Sequence, residues 1–197
     1  IKKVFIKTYK DVPLNNPNGV SERTVVSIFE DKDTLLWIGT DGGGINILDP
    51  ETRHFSLLEH VPGSDNYSLP ANSILCLYND YNNNIWAGSI RNGLISIREV
   101  SMKTYTDVPP GNDRGLSNNT VLSLFQESQD QIWVGTDGGG INNFNPLTEK
   151  FTHYPSTWED KVASICQFTP GKLLISLFSQ GVFIFNPATG EKHPFTI

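Results

Sequence analysis

The stretch IWVGTDGGGINNFNPLTEKF, Ile132–Phe151, decides the fold because the chain writes it twice: LWIGTDGGGINILDPETRHF runs from Leu36 to Phe55. A catalytic motif is needed once, beside its partners, whereas architecture repeats. Two fainter copies point to architecture: IWAGSIRNGLISIREVSMKTY (Ile85–Tyr105) and LLISLFSQGVFIFNPATGEKHPF (Leu173–Phe195). Trp37, Trp86, Trp133 and Leu174 are the matching positions, 49, 47 and 41 residues apart. A period of roughly 40–50 residues marks repeated supersecondary units.

Each repeat reads as four short strands. In the third, the β-branched run Asn119–Ser128 is followed by QIWVGT (Gln131–Thr136), an Asp-Gly-Gly-Gly turn, INNF, an Asn-Pro turn and EKFTHY. No run carries a helical apolar stripe. Four strands at this period predict an all-β fold, a fragment of a β-propeller. It has four blades of four antiparallel strands, at residues 23–58, 73–107, 119–154 and 161–196. Residues 1–10 resemble the last strand of a blade and predict one orphan outer strand at the N-terminus. With ends that look cut from a longer array, self-association through exposed terminal blades, or closure into a strained small ring, is expected.

The turns follow from backbone chemistry. Gly44, Gly93, Gly140 and Gly181 stand where the second-to-third-strand hairpin closes, a position that calls for positive φ. A phosphate-cradling role is excluded because such loops open a helix. Asp49-Pro50, Asn145-Pro146 and Asn186-Pro187 suit type I turns between the third and fourth strands. Ser27, Cys76, Ser123 and Ser164 are small residues where first strands crowd together. The three repeated tryptophans could stack sugars, but the fourth copy is Leu174, which replaces packing well and stacking poorly, so core packing is expected. Cys76 and Cys166 occupy different slots in blades two and four, and two buried free thiols are expected.

Composition narrows the function. A net charge of −6 without a basic patch argues against nucleic acid and anionic membranes as partners. No run is long and apolar enough to span a membrane. EDKD (Glu30–Asp33) and NDYNNN (Asn79–Asn84) lack the spaced acids and closing Glu of calcium loops and read as hairpin turns. His54, His60, His153 and His193 form no metal-ligand pair. No nucleophile–base constellation stands out, so no cofactor, metal or catalytic residue is predicted.

The order of LSNNTVLSLFQES (Leu116–Ser128), IWVGT, GGGI, an Asn-Pro turn and a closing aromatic resembles the two-component regulator propeller repeat; LPANSILCLYNDYNNNIWAGS (Leu69–Ser89) keeps the same order. The resemblance weakens in blade four, which lacks the Trp and the DGGG turn. It implies part of the periplasmic sensor region of a hybrid two-component signalling protein. There, two large propellers precede a β-sandwich, a membrane-spanning helix and cytoplasmic kinase and regulator domains. It also implies an oligosaccharide ligand, a dimer in the full-length protein, and no catalysis by this piece. The family repeat transfers no binding residue by position. Long loops on a rigid scaffold carry binding residues. Ligand contacts are therefore expected among Asp41, Tyr67, Arg91, Asn112, Asp113, Arg114, Asp137 and Trp158. Asp41 and Asp137 have an alternative role as caps of their own hairpins. A propeller enzyme acting on glycans, a lyase or glycosidase, and a protein-binding scaffold are the competing readings.

Overall fold

The computed structural model describes residues 19–63, 68–98, 101–154, 157 and 159–196. Each repeat is one antiparallel four-stranded sheet whose strands lie in sequence order. The first blade holds β1 (Val25–Glu30), β2 (Leu36–Thr40), β3 (Ile45–Leu48) and β4 (Phe55–Leu58). The second holds β5 (Ile74–Asn79), β6 (Ile85–Ser89), β7 (Leu94–Arg98) and β8 (Ser101–Tyr105). The third holds β9 (Val121–Ser128), β10 (Gln131–Thr136), β11 (Ile141–Asn145) and β12 (Lys150–His153). The fourth holds β13 (Val162–Thr169), β14 (Lys172–Leu177), β15 (Gly181–Asn186) and β16 (Glu191–Pro194). The expected orphan strand at 1–10 lies outside the described residues.

The innermost strands β1, β5, β9 and β13 pack side by side in that order. Successive blades therefore lie face to face, and their strands, apolar on both faces, bury three seams. Trp37 and Ile45 meet Leu77, Ile85 and Ala87 in the first. Trp86 and Tyr105 meet Ile132, Val134 and Phe144 in the second. Trp133 and Ile141 meet Leu173, Ile175 and Phe185 in the third. Trp86 and Trp133 are each 1% exposed, so the tryptophans are seam fillers rather than stacking platforms.

Each indole N–H has a fixed partner, an acid six residues upstream. Trp37 Nε1 donates to Asp31 Oδ2 (2.7 Å), Trp86 Nε1 to Asp80 Oδ2 (2.9 Å) and Trp133 Nε1 to Glu127 Oε2 (2.8 Å). Asp80 also accepts from the Asn82 and Asn84 amides, so one carboxylate closes the β5–β6 hairpin and holds the indole. In blade four both members of the pair are gone together, replaced by Phe168 and Leu174. Asp31 and Asp80, in the stretches read as hairpin turns rather than calcium loops, thus cap those hairpins. Among the described residues no three His, Cys, Asp or Glu side chains cluster around a metal position.

The small first-strand residues do more than avoid a clash. Leu77 N donates to Ser27 Oγ across the first seam (2.9 Å). Ser123 Oγ donates to the Val162 carbonyl across the third (2.9 Å). They are hydrogen-bonded rivets between blades. Both cysteines are free, but neither is buried as expected: Cys76 is half-buried and Cys166 is exposed. Cys76 packs into the second seam, where burial pushes its thiol pKa up to about 12. Cys166 is exposed, because no blade among the described residues covers that face of β13.

Candidate functional site

The hairpins joining second and third strands meet the starts of the first strands along one inner rim. The amides of Asp41, Ile90, Asp137 and Phe178 donate to the carbonyls of Thr24, Ser73, Thr120 and Lys161, the same offset in every blade. The rim is also stitched between blades. Gly42 and Gly44 amides donate to Asn72 O, Gly93 to Asn119 O, and Gly138 and Gly140 to Asp160 O. Asp41 further bridges Ser73, and Asp137 bridges Lys161. A rigid hydrogen-bonded arc therefore carries Asp41 and Asp137 at the first position of their turns and Arg91 at the second position of the turn between them, on three successive blades.

A second device fixes the approach to this rim. Asn46 Oδ1 accepts from the Ser21 amide, Asn46 Nδ2 donates to Ser21 Oγ, and that hydroxyl donates to Gly43 O. Asn142, Ser117 and Gly139 repeat the arrangement. A Cβ on Gly139 would stand 2.6 Å from Ser117 Oγ, so the middle glycine of the turn makes room for the latch. This serine–asparagine pair was missed in the sequence, although its signal is there: a Ser 25 residues before the Asn in blades one and three, and neither residue in blade two.

Charges on the rim are unevenly matched. Asp137 is ion-paired with Lys161 of the next blade (Oδ1–Nζ 2.8 Å) rather than capping its own turn. Arg91 is exposed, and its amide lies 3.4 Å from Thr120 Oγ1. It occupies the slot of Gly42 and Gly138, yet holds φ 65°. A non-glycine residue in this conformation costs about 1–2 kcal/mol. Arg91→Gly is therefore expected to stabilise the fold by about 1 kcal/mol in urea unfolding. If the rim binds a ligand through the guanidinium, the same variant loses affinity.

The predicted residues Asn112, Asp113 and Arg114 are not brought to this rim. Their loop runs back along the outer edge of blade three. Phe151 N donates to Asp113 O, Lys150 Nζ reaches Asp113 Oδ2 (2.7 Å), and Gly115 O accepts from His153 Nε2. Asn112 Oδ1 accepts from the Arg114 amide, and Arg114 Nε stands 3.8 Å from Asp113. These residues fasten the loop to β12. Tyr67 and Trp158 lie outside the described residues.

Three carboxyls beyond the rim titrate below their ordinary range. The Thr52 hydroxyl and turn amides lower Asp49, the Lys150 ammonium lowers Asp113, and the Lys103 ammonium lowers Glu149. A carboxyl depressed in the folded state adds stability above its unfolded pKa and loses it as pH falls through the folded value. Stability is therefore expected to decline once pH drops below the ordinary values of 3.8 for Asp and 4.5 for Glu. The combined variant Asp113→Asn, Glu149→Gln should flatten that decline in urea midpoints measured against pH.

No curated protein matches the chain. Among solved structures, an extracellular domain assigned to a hybrid two-component system from B. thetaiotaomicron shares 24% identity and a TM-score of 0.80 over 96% of this chain. The chain spans only 27% of that domain's length. A streptogramin B lyase shares 16% identity over 91% of this chain and 58% of its own, with TM-score 0.67. U3-55K shares 10% identity over 90% of this chain and 53% of its own, with TM-score 0.65. At such identities the likeness establishes the propeller fold alone. The sequence match is more specific. The two component regulator propeller model matches residues 19–42, 68–91 and 115–138. Each match begins in the loop before a first strand and ends in the second-to-third-strand turn, so the same segment of each of the first three blades is similar to the two-component regulator propeller repeat.

Proposed function

We propose that this chain is part of the extracytoplasmic sensing propeller of a hybrid two-component signalling protein, and that its inner rim takes an oligosaccharide. The observation that carries the reading is the family match on three successive blades. The name of the B. thetaiotaomicron neighbour, an extracellular domain assigned to a hybrid two-component system, is in keeping with it. The rim supplies what a sugar needs: acids, a guanidinium and an amine held by rigid backbone along one edge. In this reading the periplasm is the compartment and a histidine kinase is the output, carried by parts of the protein beyond these blades. The blades themselves bind and do not catalyse.

The test is a thermal-shift screen of the chain against plant and host oligosaccharides. A ligand that binds only the folded state raises Tm. A stabilising glycan that is recovered unchanged supports the reading. Turnover of that glycan, lost in Asp137→Ala, would replace it with the enzyme reading.

A further inference from the structure

We propose that the blade-three to blade-four end of the inner rim is a subsite for a neutral pyranose, with Phe178 as the platform and the Asp137–Lys161 pair as the hydrogen-bonding group. This rests on the oligosaccharide reading above and gives it a place and a ligand class.

The first positions of the four rim turns are Asp41, Ile90, Asp137 and Phe178. Only the last is a large flat ring, and it is 66% exposed at the tip of its turn. The exposed aromatics Phe168 and Phe195 pack edge to face on each other, centroids 5.7 Å apart. Phe178 makes no ring contact among the described residues. Its backbone amide donates to the Lys161 carbonyl (2.9 Å), which places residue 178 across from the residue whose ammonium pairs with Asp137. An exposed aromatic residue and a carboxylate–ammonium pair, the latter partly exposed at 36% and 53%, therefore occupy neighbouring rim positions.

A pyranose has the complementary faces. Its axial C–H groups stack on an aromatic ring, while vicinal hydroxyls need one acceptor and one donor side by side. The ion pair supplies both and cancels its own charge, and the chain as a whole carries −6. That balance repels polyanionic glycans and leaves neutral ones unaffected.

Isothermal titration of the chain decides it, with neutral cello-, xylo- and manno-oligosaccharides in one arm and oligouronates and sulfated fragments in the other. The expected result is binding of a neutral oligosaccharide, weakened about tenfold by Phe178→Ala. Phe178→Trp should keep the affinity. Phe178→Leu should not, because it restores bulk without a flat face. Lys161→Gln should weaken binding without moving Tm. Binding of a neutral sugar that ignores every Phe178 substitution overturns the subsite and leaves the sensing reading standing. Binding confined to acidic glycans overturns the neutral class. No binding in either arm overturns both the subsite and the oligosaccharide reading.

Discussion

Trp86→Ala lowers the unfolding free energy by about 3–5 kcal/mol, the cost of emptying a buried tryptophan site. The indole is 1% exposed and fills the middle of the second seam, edge to face with Phe144 at 5.3 Å and tilted against Tyr105 at 6.4 Å. Removing it opens a cavity between two blades. It also leaves the Asp80 carboxylate, 4% exposed, without its indole partner. For a chain of this size each kcal/mol moves Tm by about 2–4 °C, so a loss of about 10 °C is expected by calorimetry. Trp37→Ala should cost less, because Trp37 is 9% exposed. Equal losses at Trp37, Trp86 and a surface control such as Tyr81, 62% exposed, would refute the seam account.

Gly93→Ala is the second large loss, about 3 kcal/mol or more, with contributions from left-handed backbone strain and a steric collision. Gly93 holds φ 75°, and a Cβ there would lie 2.0 Å from the Tyr105 carbonyl oxygen. That oxygen is backbone at the end of β8 and has no side-chain rotamer through which to move away. Gly42 provides the internal control. It holds φ 107° but has open space around it, so Gly42→Ala should lose only the strain component, about 1 kcal/mol. Urea unfolding of the two variants separates the effects: a large gap places the constraint in the close approach, while equal losses place it in φ alone.

How much of this was readable beforehand depends on the range over which each signal acts. The repeat period, the four-strand unit and the turn-closing glycines are local and periodic, so the sequence displays them directly. The pairs that lock blades and loops join residues with no shared periodicity. Asp80 and Trp86 are six apart across a hairpin, and Ser117 and Asn142 are 25 apart across two strands. Such pairs are found by asking which residues vanish together, as the acid and the Trp do in blade four, where Phe168 and Leu174 replace them.

The site divides along the same line. Asp41, Arg91 and Asp137 fall on one rim because they lie in one repeated turn, the two acids at its first position and Arg91 at its second. The path of the loop bearing Asn112, Asp113 and Arg114 is set by strand-edge pairing with β12, which no repeat slot encodes. Lys161 and Phe178 were passed over because each is unremarkable alone. Their signal is position: Lys161 stands where the siblings have Thr24, Ser73 and Thr120, and Phe178 stands where two siblings have Asp.

The measurement that bears most directly on the central claim is amide chemical-shift mapping of the isotopically labelled chain, titrated with a stabilising oligosaccharide. Shifts should gather on the four rim turns, 41–44, 90–93, 137–140 and 178–181, and on Lys161, with the loop at 112–114 unmoved. Shifts centred on 112–114 and β12, with a silent rim, would contradict it.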